Sequence, residues 1–250
     1  MAFLSQGPAL RANRLLALLP DADRRFLAPH LEPITMEYRK SLQQAKKPIE
    51  FVYLLTTGVA SLVNTMKNGD AAEVGTIGNE GLVGLPVMLG DTMAPTSVYV
   101  QVPGTALRMK AEILRGALDH SATLRTVLLH YAHAFFNQVA QSAACNRFHP
   151  IERRCARWLL MTRERMATDD FLLTQEFLAM MLGVRSRPGV TVAMHKLKEA
   201  GLITYSRGIV EILDRAELEE RSCECYAVSK AEFDRLLGKT PKPRAVAKAS

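Results

Sequence analysis

Several features that mark particular classes of protein are missing from this chain of 250 residues. No run of about 18 apolar residues occurs, so the sequence predicts neither a membrane-spanning helix nor a membrane partner. The N-terminal segment lacks a basic stretch followed by an apolar stretch and a cleavage site, and we therefore expect a cytoplasmic protein. Hydrophobic residues nevertheless make up 48% of the chain, which is enough for well-packed cores.

Cysteine and histidine are scarce where a cofactor would need them. The four cysteines all follow residue 144, at Cys145, Cys155, Cys223 and Cys225. Because Cys223 and Cys225 are too close for an ordinary disulfide and lack the common spacing of a zinc site, we expect reduced thiols, no metal and no cofactor. No histidine occurs between His30 and His120, and this gap removes the metal ligands of a cupin-type enzyme.

Acidic residues are outnumbered, and the excess positive charge lies toward the C-terminus. The net charge is +7 and the sequence pI is about 9.4. Residues 146–166 hold six arginines against two glutamates, and residues 238–250 hold four basic residues and no acidic one. This distribution favours a polyanionic partner for the C-terminal part of the chain.

The hydrophobic pattern changes character along the chain. Residues 9–31 have the pattern of short helices, and from residue 34 to 107 short apolar runs alternate with Gly, Asn and Asp. Such a pattern predicts a compact antiparallel β-roll, with a hairpin turn at the Asn-Gly-Asp of residues 68–70. Helical periodicity follows from residue 111 to about 145, and a basic amphipathic helix follows a boundary near residues 146–150.

A narrow apolar stripe marks the predicted long helix. Its members fall at steps of four, three and four residues: Leu124, Leu128, Tyr131 and Phe135. This spacing is typical of a seam between two helices. The stripe either packs on its own domain or pairs with a second subunit, and we predict the second alternative, a dimer interface.

A segment near the C-terminus has the pattern of two short helices joined by a turn. Thr174 is a good N-cap for the first helix, and Gly183 stands where a left-handed C-cap is needed. Ser186 can cap the second helix, with Pro188 in its first turn. Two short strands within residues 202–213 follow, so the segment reads as a winged helix-turn-helix, although an ordinary helical hairpin is the alternative.

In a winged helix-turn-helix, the second helix enters the major groove with its N-terminal end toward the bases. The basic start of this helix can therefore reach phosphate or the edge of guanine through Arg185 and Arg187. The predicted DNA-binding residues are Thr174, Arg185, Ser186, Arg187, Gly189, Thr191, Val192, His195, Lys196 and Arg207.

Over almost its whole length the chain resembles the Crp/Fnr superfamily of bacterial transcription regulators. The matching motifs are FVYLLTTGVASLV in the roll, IGNEGLVGLPVML after it, IERRCARWLL at the domain junction, and LTQEFLAMMLGV with VTVAMHKLKEAGLITYSRGIVEILD near the end. The resemblance implies an α+β fold with a jelly-roll-like β-roll of the cyclic-nucleotide-binding type, a long dimerisation helix and a C-terminal winged helix-turn-helix. The domains expected from it are a sensory roll at 1–118, the dimerisation helix at 119–147, the DNA-binding domain at 148–238 and a basic disordered tail at 239–250.

The same resemblance indicates that the effector pocket is degenerate. Members that bind cyclic AMP carry a Glu for the ribose and an Arg followed by Ser or Thr for the cyclic phosphate. Here Leu82 falls at the Glu position and Pro95, followed by Thr96, at the Arg position. Neither side chain can replace these polar contacts, and an uncompensated buried phosphate is costly. The pocket residues implied by the resemblance are Gly81, Leu82, Leu85, Pro95 and Thr96.

We therefore expect a sequence-specific DNA-binding transcription regulator, a homodimer on a near-palindromic stretch of double-stranded DNA, that is not controlled by cyclic AMP. The alternative is a ligand-independent repressor with a purely structural roll. RNA polymerase and an unknown small-molecule effector are further candidate partners. An enzyme is not expected, because the acidic residues of the roll, Asp70, Glu73, Glu80 and Asp91, read as turn and solvent residues.

Overall fold

The structure is a computed structural model that describes residues 8–166, 168–184 and 187–239. It confirms the α+β class: an antiparallel sheet domain, a long helix and a helix-turn-helix domain follow one another along the chain. No helix in these described ranges is both long enough and apolar enough to cross a membrane.

The N-terminal domain consists of short helices followed by a six-stranded sheet. Its opening elements are α1 (Pro8–Ala12), α2 (Arg14–Leu18), α3 (Asp21–Leu27) and a 3-10 turn at Ala28–His30. Its strands are β1 (Glu32–Met36), β2 (Ser41–Gln43), β3 (Phe51–Thr65), β4 (Ala71–Ile77), β5 (Leu82–Val83) and β6 (Ser97–Lys110). The helix α4 (Leu85–Met88) precedes β6, and α5 (Ala111–His120) follows it.

Strands β3 and β6 form the centre of the sheet, in the order β1-β6-β3-β4, and every neighbouring pair is antiparallel. The pairing register between these two long strands shifts around Gly58, which has φ +85°. A Cβ atom at Gly58 would lie 2.7 Å from the carbonyl oxygen of Val102, so only glycine fits there. Such irregularities bend a sheet, and the bent strands enclose the core of the roll. The predicted hairpin turn at 68–70 joins β3 to β4 and is confirmed.

The long helix α6 spans Ala122–Phe148 and is capped by Ser121, whose hydroxyl accepts the Leu124 N–H at 3.0 Å. The predicted interface stripe is buried within the roll's own core, at Leu124, Leu128, Tyr131 and Phe135. Tyr131 packs on Gly81 and Phe135 packs on Gly75, where added Cβ atoms would lie 2.7 Å and 2.9 Å from the two rings. The stripe therefore packs on its own domain, and the prediction that these residues form the dimer interface is corrected.

The C-terminal domain, residues 151–239, is called the head below. Its elements are α7 (Ile151–Arg163), β7 (Asp170–Leu172), α8 (Gln175–Met181), α9 (Arg187–Glu199), β8 (Ile203–Ser206), β9 (Ile209–Ile212), α10 (Arg215–Arg221) and α11 (Cys225–Leu237). The three strands form a small antiparallel sheet in the order β7-β9-β8. The helices α10 and α11 were not predicted, and α11 packs against α6. Residues 240–250, which make up most of the predicted tail, lie outside the described residues.

Candidate nucleic-acid interface and sensory pocket

The helix-turn-helix forms from capping and turn residues that can be recognised in the sequence. The Thr174 hydroxyl accepts the Phe177 N–H at 3.2 Å and so caps α8. The chain leaves α8 through Gly183, whose φ of +59° is a left-handed conformation that glycine adopts easily. Arg185 and Ser186 lie outside the described residues, and α9 is described from Arg187 onward.

The helix α9 has a buried face and a free face. Its buried side chains belong to the core of the head: Val190, Ala193, Met194 and Leu197. The opposite face carries Thr191, Val192, His195 and Lys196, all of them exposed. Val192 is apolar but 54% exposed. Contact with water does not stabilise an apolar side chain. This free face is the part of the predicted DNA-binding set that the structure brings together.

Side-chain contacts orient three of these exposed residues. Thr191 donates a hydrogen bond to Gln175 of α8 at 2.8 Å. Lys196 lies 3.1 Å from Glu152 of α7, and His195 lies 3.2 Å from Glu199 one turn further along α9. Exposed ion pairs of this kind are weak, so both basic side chains remain available to a phosphate group.

Three of the predicted DNA-binding residues either have another structural role or are only partly described by the structure. Gly189 faces α7, because a Cβ atom there would lie 2.9 Å from the Ile151 side chain. Gly189 therefore allows α9 to approach α7 closely, and its predicted contact with the groove stays a prediction. The hydroxyl of Thr174 already serves as a helix cap, and of Arg187 only the backbone lies within the described part of the chain.

The wing is the hairpin formed by β8 and β9. Its turn consists of Arg207, with φ 50°, and Gly208, with φ 78°. Two consecutive left-handed residues are typical of a tight two-residue hairpin. Arg207 is exposed at this tip. The edge of the wing sheet is covered by β7, which pairs with β9.

In the roll, the loop between β4 and β5 contacts both the long helix and the head. The Gly78 N–H donates to the Glu80 carboxylate at 3.1 Å, which fixes the turn. Tyr131 of α6 donates a hydrogen bond to the carbonyl oxygen of Leu82 at 3.2 Å. The long helix α6 therefore contacts this part of the roll and fixes its position.

Each half of the molecule matches the model of a known domain family. Residues 38–121 match the family model of the cyclic nucleotide-binding domain, and residues 153–221 match that of the Crp-like helix-turn-helix domain. The chain belongs to the Crp/Fnr superfamily of transcription regulators. The two segments together cover more than half of its 250 residues. A comparison with curated proteins gives no significant match.

Solved structures of Crp/Fnr proteins share this architecture. FixK2 from Bradyrhizobium japonicum matches with a TM-score of 0.67 at 14% identity, over 77% of this chain and 98% of that protein. A CRP-family transcriptional regulator from Thermus thermophilus matches with a TM-score of 0.63 at 14% identity, over 76% and 96% of the two chains. The c-di-GMP responsive global regulator CLP from Xanthomonas campestris matches with a TM-score of 0.61 at 13% identity, over 78% and 100%. At these identities the likeness shows the fold alone.

The predicted pocket residues of this Crp/Fnr protein lie between β4 and β6, and none of their side chains carries a charge. Leu82 is 1% exposed and points into the core of the roll, and the space beside Gly81 is filled by the Tyr131 ring. Pro95 is exposed, and the Thr96 carbonyl accepts a hydrogen bond from Gln43 at 2.9 Å. Leu85 opens α4 and is half-buried. The structure thus gives no charged partner for a cyclic phosphate among these described residues.

The head packs on the roll of this Crp/Fnr protein through a buried ion pair. Arg165, just after α7, lies 2.7 Å from Glu80 of the β4–β5 loop, and their side chains are 7% and 9% exposed. Arg165 also donates to Gln138 of α6 at 3.2 Å, and Gln138 donates to the Thr76 carbonyl at 2.9 Å. Burial disfavours the charged guanidinium, but the Glu80 carboxylate outweighs it and raises the pKa of Arg165. One polar network therefore joins the roll, the long helix and the head.

A second carboxylate of the roll faces the head. Glu73 of β4 accepts a hydrogen bond from the Trp158 indole at 3.3 Å, and its other oxygen has no partner among the described residues. Burial raises the pKa of Glu73 to about 7, although hydrogen bonding with Ser61 and with Trp158 acts in the opposite direction. The interpretation of Glu73 and Glu80 as solvent-facing turn residues was wrong, because Trp158 of α7 contacts Glu73 and Arg165, just after α7, contacts Glu80.

Three of the four cysteines converge, which the sequence spacing did not predict. Cys145, Cys223 and Cys225 form a small buried cluster beside His149, whereas Cys155 is buried elsewhere in the head. A hydrogen bond from the Cys145 thiol lowers the pKa of Cys223. The four cysteines form no disulfide in the structure. The missed signal was the pair Cys145 and His149, four residues apart at the end of a helix.

Proposed function

We propose that this Crp/Fnr regulator reads a specific DNA sequence with the free face of α9 while the wing tip contacts the flanking backbone. The observation that supports this most is the exposed surface made by Thr191, Val192 and His195, next to the basic residue Lys196. An α-helix fits the major groove, where base edges are distinguishable. Val192 suits contact with a thymine methyl group, since it is apolar and exposed on this face.

An in vitro selection from random duplex DNA at roughly physiological salt tests sequence-specific binding. We expect a two-fold symmetric motif whose half-sites lie about one helical turn apart. Absence of any enriched motif, for the protein alone and in the presence of cell extract as a source of effectors, would overturn the proposal. Lower salt would obscure the result, because non-specific binding strengthens steeply as the salt concentration falls.

A lysine pair provides a matched control for the position of the surface. Lys196 on α9 and Lys110 on the roll are both exposed, and each lies near one glutamate. We expect Lys196→Ala to weaken binding to all sequences and to reduce the salt slope by about one. Lys110→Ala should leave both unchanged, and an equal effect of the two substitutions would contradict this placement.

We also propose a homodimer whose seam is the outer face of α6. Leu129 and Phe136 lie seven residues apart on that helix, and they are 49% and 69% exposed. Ala143, also exposed, continues the same heptad spacing. Apolar side chains repeated at this spacing are typical of helices that pair along their length. The buried stripe faces the opposite way and holds the helix on its own roll.

Sedimentation of a charged variant tests the seam. Phe136→Glu should yield monomers, since it would bring two carboxylates together at the interface. Phe26→Glu is the control, because Phe26 is also an exposed phenylalanine, at 52%, but lies on α3. A dimeric Phe136→Glu variant would exclude this face of the helix.

The degenerate pocket supports control by something other than cyclic AMP, or by no ligand. Tyr131 occupies the space beside Gly81 and Leu82 is apolar, so a cyclic phosphate would lack a partner. Thermal shift with cyclic AMP and with cyclic di-GMP separates these cases. A ligand present at about 100 times its Kd adds about 2.7 kcal/mol to stability. A clear shift with cyclic AMP would overturn this part of the proposal, and no shift with any nucleotide favours the ligand-independent repressor.

Signals from the roll would reach the head through the Glu80 network. Glu80 is next to Gly81, so any rearrangement of the loop at the pocket moves the carboxylate that binds Arg165. A ligand that favours one loop conformation would thereby shift the population of head orientations.

A further inference from the structure

Four potential metal ligands meet where α6 ends. The Sγ atoms of Cys145, Cys223 and Cys225 and a ring nitrogen of His149 all lie within 4.8 Å of one another. The Cys145 and Cys223 sulfurs are 3.5 Å apart, and Cys225 Sγ is 3.4 Å from His149 Nδ1. The three thiols are at most 2% exposed, whereas His149 forms the outer side of the cluster.

The ligands come from two distant segments that the fold brings together. Cys145 lies in the last turn of α6, and His149 is the residue that ends this helix. Cys223 lies in the short connection between α10 and α11, and Cys225 is the first residue of α11. The cluster thus joins the end of the long helix to the C-terminal part of the head.

We propose that Cys145, His149, Cys223 and Cys225 bind one Zn²⁺ ion in a tetrahedral site with three sulfur ligands and one nitrogen ligand. With Zn–S bonds of about 2.3 Å, the sulfurs of such a site lie about 3.8 Å apart, close to the spacing present here. Closed sites with four protein ligands are structural rather than catalytic.

The surroundings of the cluster match those of a metal site. His149 points its other ring nitrogen at the Glu224 carboxylate, 3.1 Å away, which is the usual outer partner of a metal-bound histidine. Gln141 donates to Cys225 Sγ at 3.1 Å. The buried Arg157 places positive charge near Cys145 and Cys223, which offsets the negative charge of a zinc ion with three thiolates.

Two other roles for the cluster fit the geometry less well. An iron–sulfur cluster spreads its ligands around several iron and sulfide ions, whereas these four ligand atoms surround a space for a single ion. A redox disulfide would use two thiols and leave the third thiol and His149 without a function. The histidine and its carboxylate partner therefore favour a mononuclear site.

The proposed ion would fix the head against the long helix. The chain turns at Pro150 between α6 and α7, so any motion of the head relative to α6 would have to bend the chain at this turn. A tetrahedral ion that binds both sides of the turn would restrict that motion. Zinc would thus stabilise one arrangement of head and helix, independently of any ligand in the roll.

The first experiment measures metal in the full-length protein purified without chelator, and then titrates the metal-free protein with Co²⁺. We expect about one zinc per chain, and a Co²⁺ spectrum with the intense visible bands of tetrahedral thiolate ligation that saturates at one equivalent. Absence of stoichiometric metal together with absence of these bands would overturn the proposal. A disulfide between two of these cysteines, found by mass spectrometry in protein kept reduced and supplied with zinc, would do the same.

Cys155→Ala is the matched control, since Cys155 is a buried thiol outside the cluster. It should retain both the zinc and the Co²⁺ bands, whereas Cys223→Ser should lose them. Glu224→Gln leaves all four ligands in place, so it separates folding from binding: we expect zinc affinity to fall about 10- to 100-fold in a chelator competition. Unchanged affinity in both Cys223→Ser and Glu224→Gln would contradict the site. None of these measurements requires DNA, so failure of the proposed function would leave their outcome unaffected.

Discussion

The head contacts the roll through two buried carboxylates that differ in their partners. Glu80 lies against the guanidinium of Arg165, whereas Glu73 receives one indole N–H from Trp158. Both glutamates are less than a tenth exposed. Two glutamates that are buried to a similar extent thus differ in their surroundings. Glu80 is paired with a cation, whereas the pKa of Glu73 lies near neutral pH.

This difference shows how burial and pairing act against each other. Removing a carboxylate from water disfavours its charged form, and an adjacent cation restores that form. At Glu80 the contact between head and roll is an ion pair. At Glu73 the contact depends on a proton, and its strength changes within the physiological pH range.

The largest expected effect is the loss of the paired carboxylate. Glu80→Gln leaves Arg165 buried and charged, because a guanidinium does not lose its proton in this environment. We expect the free energy of unfolding to fall by about 3–5 kcal/mol. Urea denaturation followed by the fluorescence of Trp158, the single tryptophan, reports on the head–roll contact directly. A loss below about 1 kcal/mol would mean that water reaches this pair.

The reverse change should cost less. Arg165→Met leaves the buried Glu80 without its cation, but it also removes a buried guanidinium whose charged form is disfavoured by burial. We expect the free energy of unfolding to fall by roughly 2–3 kcal/mol. The same urea experiment measures this, and an unchanged free energy of unfolding would show that Glu80 finds another partner.

Glu73→Gln should increase stability in a pH-dependent way. Because the folded pKa of Glu73 is about 7 and its ordinary value is 4.5, the folded state holds the proton more tightly. The stability that this proton provides is fully present below about pH 4.5 and is lost as the pH rises through 7. We therefore expect the variant to exceed the parent by about 1–3 kcal/mol at pH 8 and to match it near pH 4.5. Thermal denaturation across this range measures the difference.

Trp158→Phe is expected to have the smallest effect. It removes the N–H that Glu73 receives from the indole while keeping an aromatic ring, so the loss should be about 1 kcal/mol at pH 8. Near pH 4.5, where Glu73 is protonated, the loss should be smaller. Circular dichroism replaces fluorescence for this variant, and an equal loss at both pH values would assign the effect to packing alone.

Local patterns in the sequence were sufficient for the helix-turn-helix and for much of the roll. Some structural features depend only on residues that are close in sequence, so they can be recognised without knowledge of the fold. Examples are the helix cap at Thr174, the left-handed Gly183 and the turn at residues 68–70. The apolar stripe of α6 was also recognised, but its spacing is the same whether it meets a second helix or a sheet. Gly75 and Gly81, which make room for the rings of Phe135 and Tyr131, lie 60 and 50 residues earlier in the chain.

The sequence by itself determined the class of this protein: a roll, a long helix and a winged head with a basic second helix in its helix-turn-helix. Only the tertiary structure decided which face of α6 is buried, that Glu73 and Glu80 meet the head, and that Cys145 and His149 meet Cys223 and Cys225. The physical reason is distance along the chain. Caps, turns and periodicity depend on neighbouring residues, whereas a buried ion pair or a four-ligand site depends on the packing of segments about 75 to 85 residues apart.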